Sequence, residues 1–305
     1  SLILGGSYIA ARAVILVLSL ALLLSSYSLA KEFTSKKWAL ITATCLSFQP
    51  LFFAQSTLIL PEILLSLLGS LCLLFYLKKS YLMYFVTASL LVLTKETSVV
   101  IFAGIALFEW HKNQFKISFQ LIQTIIKWSL PSVFFLAFLV IQKYQCGYFL
   151  YPYHTNLVSF SLGSLAIRLT LNMVILFLDQ GRFILTFAAL LVLYKMSTPQ
   201  KKLFLKNNSL LIAVCLMMLL FSSINYFMPR YFLLVIPFYL IIVFNLIQKA
   251  TYTPKHLLVY FLLSLPFQCN FFIFRNDDNM GYLIVVQNMQ ESIQELDRIT
   301  EGKEA

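Results

Sequence analysis

Long apolar segments separated by short polar connections make up most of this 305-residue chain. Hydrophobic residues account for 60% of the sequence and charged residues for only 11%, whereas about a quarter of the residues of a soluble globular domain are charged. A chain with so few charges cannot cover its surface in water. The pattern predicts an all-α integral membrane protein and excludes a cytosolic enzyme, a secreted domain and a disordered protein.

The apolar segments have the lengths of membrane-spanning helices, which need roughly 20 apolar residues each. The sequence predicts a polytopic transmembrane helix bundle of about ten spans, at residues 8–29, 38–56, 60–77, 81–94, 98–110, 128–141, 182–193, 209–223, 231–247 and 257–274. Residues 1–274 form this predicted transmembrane domain, with an outer loop and an outer-face interfacial helix at 143–181. Residues 275–305 turn polar and then amphipathic, which predicts the start of a non-cytoplasmic soluble region.

Positive charges alternate between the two sides of the predicted bundle. Lysines occur in every second connection, around residues 31–37, 78–79, 112–127, 195–206 and 249–255. Lysine-rich connections of a membrane protein stay in the cytoplasm, so the net charge of +11 is an orientation signal and predicts no nucleic-acid partner. The five cysteines are scattered without a CxxC pair and are interpreted as packing residues.

Arginines and a few acids lie on the opposite, outer side. All six arginines fall outside or at the outer ends of spans, a position that suits phosphate binding and also simple interfacial anchoring. Glu62 follows Pro61 at one tight outer turn and Lys95 lies at the next, so we expect the two to share a face. A carboxylate at membrane depth is costly, so we expect Glu62 to be paired with a cation or used in chemistry. Arg230, at the mouth of a late span, is the best phosphate-binding candidate.

An aromatic outer loop at 143–160 contains four tyrosines and His154. The tyrosines suit anchoring at the membrane interface and also stacking on sugar rings. Three interpretations of His154 stay open: a general base, a metal ligand or an interfacial residue. His111 and His256 are the only other histidines, so no metal site can be assembled from this loop, and a divalent metal stays open as a cofactor.

The absence of nucleotide-binding motifs bears on the source of activated substrate. No Walker loop, dinucleotide-binding fingerprint or nucleotide-sugar aspartate pair occurs in the sequence. Because an outer-face membrane enzyme has no ATP supply in bacteria, a lipid-linked activated donor would meet its need. The chain opens at Ser1 in an apolar run and stops just after an amphipathic stretch, so we expect it to be part of a longer protein.

Five short motifs follow one another along the chain. They are Ala11-Arg12 opening a span, Gln49-Pro50-Leu51-Phe52 before an outer turn, Glu62 opening the next span, Leu93-Thr94-Lys95, and Arg230-Tyr231 opening a late span. In order and topology they resemble the GT-C membrane glycosyltransferases of the protein mannosyltransferase and aminoarabinose transferase type. The resemblance covers essentially the whole chain.

This resemblance implies a reaction and a set of site residues. A sugar would pass, with inversion, from a polyprenyl or dolichyl phosphate to a glycan, lipid or protein acceptor on the non-cytoplasmic face of the plasma (inner) membrane. Glu62 resembles the second acid of the family, and the main catalytic base, an Asp, is expected upstream of residue 1. Lys95, Arg230 and Tyr231 are similar to residues around the lipid phosphate. Arg182 and His154 are assigned to substrate or lipid-phosphate binding.

Two other classes of protein stay open. A transporter or flippase for a lipid-linked or anionic solute would share the polytopic bundle, but such proteins often contain inverted repeats and bind at the bilayer midplane, and no half-to-half repeat is evident here. A non-catalytic relative that assists assembly or binds sugar would share the motifs. Substitution of Glu62, Lys95 and Arg230, with sugar transfer as the readout, separates these classes.

Overall fold

The regular secondary structure of the protein is helical. The computed structural model describes residues 8–150, Val158, 161–224 and 229–249. Within these residues every regular element is a helix, which confirms the all-α prediction. The α-helices described are α1 (Tyr8–Ala30), α2 (Lys36–Ser47), α3 (Pro50–Thr57), α4 (Glu62–Leu77), α5 (Tyr81–Thr94), α6 (Val99–Lys112), α7 (Phe119–Ser129), α8 (Ser132–Cys146), α9 (Leu162–Phe177), α10 (Arg182–Lys195), α11 (Thr198–Ile224) and α12 (Ile236–Gln248). Short 3₁₀ helices, Glu96–Ser98 and Pro229–Leu234, precede α6 and α12.

Several of these helices have the length and apolarity of membrane spans. Two qualify alone, Ala10–Ala30 within α1 and Thr198–Ile224, which is α11. Three pairs qualify together but bend at a short break: α3 with α4 by 118°, α7 with α8 by 60°, and α9 with α10 by 90°. The described residues therefore contain two to five candidate spans, which agrees with a membrane protein. The count of ten stays a prediction, and the predicted segments 257–274 and 275–305 lie outside the described residues.

Prolines account for two differences between the predicted spans and the helices. The predicted span 38–56 is two helices, because Pro50 begins α3 and has no amide hydrogen with which to continue α2. Pro131 separates α7 from α8, and residues 119–127, placed in an inner connection from sequence, belong to helix α7. That placement as a loop is wrong. Ser118 caps α7, since its hydroxyl accepts a hydrogen bond from the Leu121 amide at 3.2 Å.

The segment predicted to lie in the outer interface contains α9. This helix packs along α11, and its partly polar inner face joins the two helices through a hydrogen bond of 2.8 Å from Asn172 Nδ2 to Ser222 Oγ. Both side chains are buried. One face of α9 therefore belongs to the protein interior, and its position relative to the membrane interface stays a prediction.

Contacts between connections bring lysine-rich segments together. Lys78 follows α4 and Glu32 follows α1, and Lys78 Nζ lies 4.0 Å from Glu32 Oε1. The amide of Ser35, just before α2, donates to Gln248 Oε1 at the end of α12 at 3.0 Å. We call this end of the bundle, defined by the segments 31–36, 78–79 and 248–249, the lysine end. Its assembly agrees with the predicted alternation of lysines.

Helix α4 lies between α1 and α5 and contacts the 3₁₀ helix Pro229–Leu234. Ser66 Oγ of α4 donates to the carbonyl of Leu233 at 2.8 Å, which fixes the 3₁₀ helix on the buried face of α4. On the other side of the bundle α6 packs closely on α11, with Gly104 at the contact. These contacts bring the start of α4, the end of α5 and the start of the 3₁₀ helix to the end of the bundle opposite the lysine end.

Candidate functional site

Glu62 is the first residue of α4 and follows the 118° bend between α3 and α4. The amide of Leu65 donates to the carbonyl of Pro61 at 2.8 Å, so the helix starts directly after the proline. Only 2% of Glu62 is exposed. The positive end of the helix dipole favours a carboxylate here, but burial of that charge requires cationic or hydrogen-bonding partners.

Two cations from distant parts of the chain meet this carboxylate. Lys95 Nζ donates to Glu62 Oε1 at 2.9 Å. Arg230 Nε lies 3.5 Å from the same oxygen, close enough for an ion pair but without hydrogen-bond geometry. The predictions that Glu62 is paired and that it shares a face with Lys95 are confirmed. Arg230 lies in the same place.

Helix ends position both cations. Lys95 follows the last residue of α5 with an extended backbone (φ −165°, ψ 147°), so its side chain leaves the helix before the 3₁₀ helix Glu96–Ser98 begins. Arg230 is the second residue of the 3₁₀ helix Pro229–Leu234. The fully buried Phe232 and Leu233 hold that helix in the core, and Arg230 remains at its polar start. Each of these cations thus lies at or near the end of a helix.

An aromatic ring completes the group. Lys95 Nζ lies 3.5 Å from the centroid of the Tyr231 ring, and Arg230 Cζ lies 5.7 Å from it. A cation over an aromatic face gains roughly 0.5–2 kcal/mol, more when it is shielded from water. The ring therefore helps to hold the Lys95 ammonium beside the carboxylate. We call Glu62, Lys95, Arg230 and Tyr231 the Glu62 cluster.

The Glu62 cluster carries two positive charges and one negative charge. Within the described residues Glu62 Oε2 and Arg230 Nε are buried and form no hydrogen bond. The side chains of Lys95 and Arg230 remain 14% and 21% exposed. A guanidinium presents a planar fork of donors that matches a phosphate or a carboxylate. The arrangement can therefore bind an anion at its exposed cationic side.

Arg182 is separate from this cluster and has a structural role. It is 1% exposed, and its guanidinium donates to the carbonyls of Ile175 at 2.5 Å and Leu176 at 3.0 Å. It also donates to the side-chain oxygens of Gln49 and Gln180, both at 3.1 Å. The first two bonds satisfy carbonyls that the end of α9 leaves unpaired. Arg182 thus joins α9, α10 and the start of α3, and its assignment to the lipid phosphate stays a prediction.

Few residues could serve as ligands of a divalent metal ion. His154 lies outside the described residues, so its predicted part in the site is not placed. Across residues 8–150, 161–224 and 229–249, no three His, Cys, Asp or Glu side chains come together in a way that could hold a metal ion. The single carboxylate of the Glu62 cluster already serves two cations, which makes a poor ligand set for a divalent ion that prefers several oxygens.

Sequence reasoning missed one buried polar residue that lies next to the cluster in the chain. Thr97 lies two positions after Lys95, is 2% exposed, and its hydroxyl has no hydrogen-bond partner among the described residues. The available signal was a polar residue inside an apolar run next to an ionisable one. Such a residue is a candidate ligand contact, because burying an unsatisfied polar group is costly.

The fold and the Glu62 cluster together define a helical protein with membrane-spanning features and a two-cation, one-carboxylate site at one end of its bundle. No protein family, curated protein or solved structure matches the chain.

Proposed function

We propose that this protein is a multi-pass membrane glycosyltransferase that moves a sugar from a polyprenyl or dolichyl phosphate to a glycan, lipid or protein acceptor. The reaction takes place on the non-cytoplasmic face of the plasma (inner) membrane, within a bundle of about ten spans. The observation that carries this proposal is the convergence of Lys95 and Arg230 on the buried carboxylate of Glu62. An outward-facing surplus of positive charge at the membrane edge suits the phosphate of a lipid-linked donor.

The charge of the donor phosphate increases during the reaction. The acceptor hydroxyl oxygen attacks the anomeric carbon, a new carbon–oxygen bond forms, and the bond from that carbon to the phosphate oxygen breaks. The bonding electrons leave with the phosphate, which becomes a monoester with additional negative charge. The acceptor proton passes to a carboxylate base, the role that the family resemblance assigns to an Asp. Cations fixed beside the leaving phosphate stabilise that developing charge.

The residues of the Glu62 cluster have distinct roles in this scheme. Lys95 and Arg230 bind the phosphate, and Tyr231 restrains the Lys95 ammonium through its ring. Glu62 holds the two cations together through Oε1, so it is a positioning residue for the phosphate site. Its unpaired Oε2 leaves one acceptor for a hydroxyl of the bound sugar.

The depth of the cluster supports chemistry at the level of lipid headgroups. Helix α4 runs from Glu62 to Leu77, next to the lysine end, and its 16 residues correspond to about 24 Å. The hydrocarbon core of a bilayer is about 30 Å thick. With the lysine end at one interface, Glu62 lies close to the opposite interface, well beyond the midplane. The phosphate of a polyprenyl lipid lies at that depth.

A transporter or flippase is the second candidate, and the break before Glu62 favours it. Many transporters bind ions and substrates where a membrane helix is interrupted. The 118° bend between α3 and α4 is such an interruption. Transporter sites lie near the bilayer midplane, however, and the length of α4 favours the interface for Glu62. We therefore rank sugar transfer above transport.

The test uses the full-length protein in proteoliposomes with a polyprenyl-phosphate sugar and an acceptor. Lys95→Ala and Arg230→Ala are each expected to lower kcat/KM by about 10²-fold, the loss seen when one donor to a developing oxyanion is removed. Glu62→Gln leaves both cations unpaired and is expected to lower it similarly. Lys112→Ala is the matched control, because it removes a lysine that also pairs with a glutamate but lies near the lysine end. Lys112 is exposed and pairs with Glu109, which accepts a hydrogen bond from the Tyr76 hydroxyl.

Full sugar transfer by all three variants would overturn the assignment of the site. Movement of a lipid-linked or anionic solute across the bilayer, in protein that transfers no sugar from any polyprenyl-phosphate donor, would establish the transporter instead. In that case the three substitutions are expected to reduce transport, and Lys112→Ala is expected to preserve it.

A further inference from the structure

Helix α7 divides its surface into three sectors of different character. One sector is apolar and turned toward the protein, one is apolar and exposed, and one is polar and exposed. In that order the sectors are Leu121, Ile125 and Trp128; Phe119, Ile122 and Ile126; and Gln120, Gln123 and Lys127. With 3.6 residues per turn, the centres of the three sectors lie about 120° apart around the helix axis.

Three such sectors match three different surroundings. A polar sector is unfavourable on a helix that crosses the hydrocarbon core, and an exposed apolar sector is unfavourable on a helix in water. A helix that lies in the membrane plane at the edge of a protein meets protein on one side, lipid chains below and water above. The sectors of α7 correspond to these three surroundings, one to each.

The position of α7 in the fold agrees with an interfacial placement. It follows α6, which ends at Lys112, and it packs against that helix. Tyr84 of α5 donates its hydroxyl hydrogen to the carbonyl of Trp128, and Lys127 Nζ lies 5.1 Å from the centroid of the Tyr81 ring. Tyr81 begins α5 directly after the connection at 78–79 that belongs to the lysine end. The contacts therefore hold α7 at the lysine end.

Two lysines at α7 have no carboxylate partner in the part of the chain that the structure describes. Lys112 lies 3.6 Å from Glu109, but neither Lys116 nor Lys127 forms an ion pair with a carboxylate of the described residues. Both lysines are exposed, one just before the helix and one in its polar sector. Exposed lysines that have no carboxylate partner and lie beside an exposed apolar surface suit the binding of anionic headgroups.

We propose that α7 lies in the plane of the membrane at the lysine end and binds the anionic phospholipids of that leaflet. Phe119, Ile122 and Ile126 enter the acyl-chain region. Lys116 and Lys127 contact the headgroup phosphates. This surface is distinct from the Glu62 cluster, and the inference does not depend on sugar transfer.

The placement of the sectors is tested in the full-length protein in phosphatidylglycerol nanodiscs. Ile122→Cys and Gln123→Cys, adjacent residues of different sectors, are each labelled with a fluorophore in a Cys146→Ser, Cys269→Ser background. A nitroxide on the lipid acyl chains is expected to quench the label at 122 at least twofold more than the label at 123. A water-soluble nitroxide is expected to quench the label at 123 more than the label at 122. Strong acyl-chain quenching at both positions would mean that α7 continues α8 as a span, and strong aqueous quenching at both would mean no membrane contact. Either result overturns the proposal.

The headgroup contacts are tested by the thermal midpoint in phosphatidylglycerol compared with phosphatidylcholine nanodiscs. The double variant Lys116→Gln, Lys127→Gln is expected to lose at least half of the midpoint gain that phosphatidylglycerol gives the wild-type protein. Lys143→Gln, at the far end of α8, is the matched control and is expected to retain the gain. An undiminished gain in the double variant contradicts the assignment of these lysines to anionic lipid.

Discussion

Gly104→Ala is expected to force α6 away from α11. A Cβ atom at position 104 would lie 2.5 Å from Val214 Cγ2, 2.8 Å from Val214 Cα and 3.0 Å from Val214 N. Non-bonded carbon atoms prefer separations of about 3.5–4.0 Å. Two of the three contacts are to the backbone of α11, so a change of rotamer does not relieve them. The two helices must separate by about 1 Å, which loosens the whole contact between them.

The expected cost follows from two opposing effects. Overpacking of a close interface costs about 1–3 kcal/mol, and contact with backbone atoms places Gly104→Ala near 3 kcal/mol. Alanine is about 1 kcal/mol better than glycine in a helix, which offsets part of this cost. The net loss of about 2 kcal/mol corresponds to a midpoint lower by about 4–8 °C, on the scale of about 2–4 °C per kcal/mol for chains of this order of size.

A thiol-reactive dye in detergent reports the unfolding, because Cys45, Cys72 and Cys215 are buried in the folded protein. All proteins compared, including the reference, carry Cys146→Ser and Cys269→Ser, since Cys146 is exposed and would react at once. The midpoint of dye incorporation on heating is the quantity measured.

Two other glycines provide matched controls. A Cβ at Gly69 would lie 2.7 Å from Leu234 Cδ1, the mobile end of a side chain, so Gly69→Ala is expected to cost less than Gly104→Ala. A Cβ at Gly163, within α9, meets nothing within 4 Å, so Gly163→Ala is expected to leave the midpoint unchanged or raise it. Equal midpoints for Gly104→Ala and Gly163→Ala would refute the close approach of α6 and α11.

Two further substitutions test the roles of individual side chains. Arg182→Met leaves the carbonyls of Ile175 and Leu176 buried without a hydrogen-bond donor and is expected to cost about 3 kcal/mol of stability. The midpoint of dye incorporation measures this loss. An unchanged midpoint with a raised KM for the lipid-linked sugar would instead assign Arg182 to the phosphate site. Tyr231→Leu removes the ring beneath Lys95 and is expected to weaken donor binding by about 5- to 30-fold, since the contact contributes roughly 1–2 kcal/mol. Tyr231→Phe keeps the ring and is expected to bind the donor almost normally; equal losses in both variants would show that the ring is not what matters.

The sequence predicts the ends of a helix well where an apolar run is bounded by charged residues. The predicted segment 81–94 coincides with α5, and 8–29 differs from α1 by one residue at its end. Helix α7 was missed, because its exposed apolar sector and its polar sector produce no continuous apolar run. Its start depends on a capping contact of Ser118, which a hydropathy pattern does not detect.

Sequence position predicted the Glu62 cluster better than it predicted the role of Arg182. Glu62 and Lys95 lie at successive turns on one side of the bundle, so alternating topology already brings them near each other. Arg182 lies on the same predicted side and was assigned to the same ligand. Its donors are used by the end of α9 and by Gln49, and no pattern in the sequence distinguishes a helix-capping arginine from a ligand-binding one.

Local composition was enough to predict a helical protein with apolar segments suited to a membrane and lysine-rich connections on alternate sides. These properties depend on how each segment partitions between water and lipid, which is set by local composition. Only the tertiary structure decided which charges pair. Lys95 and Arg230 meet Glu62 because α5 and the 3₁₀ helix before α12 pack against α4. Arg182 is buried instead by its contacts with α9 and Gln49. Electrostatic pairing requires contact within a few ångströms, and residues distant in the chain reach that separation only through packing.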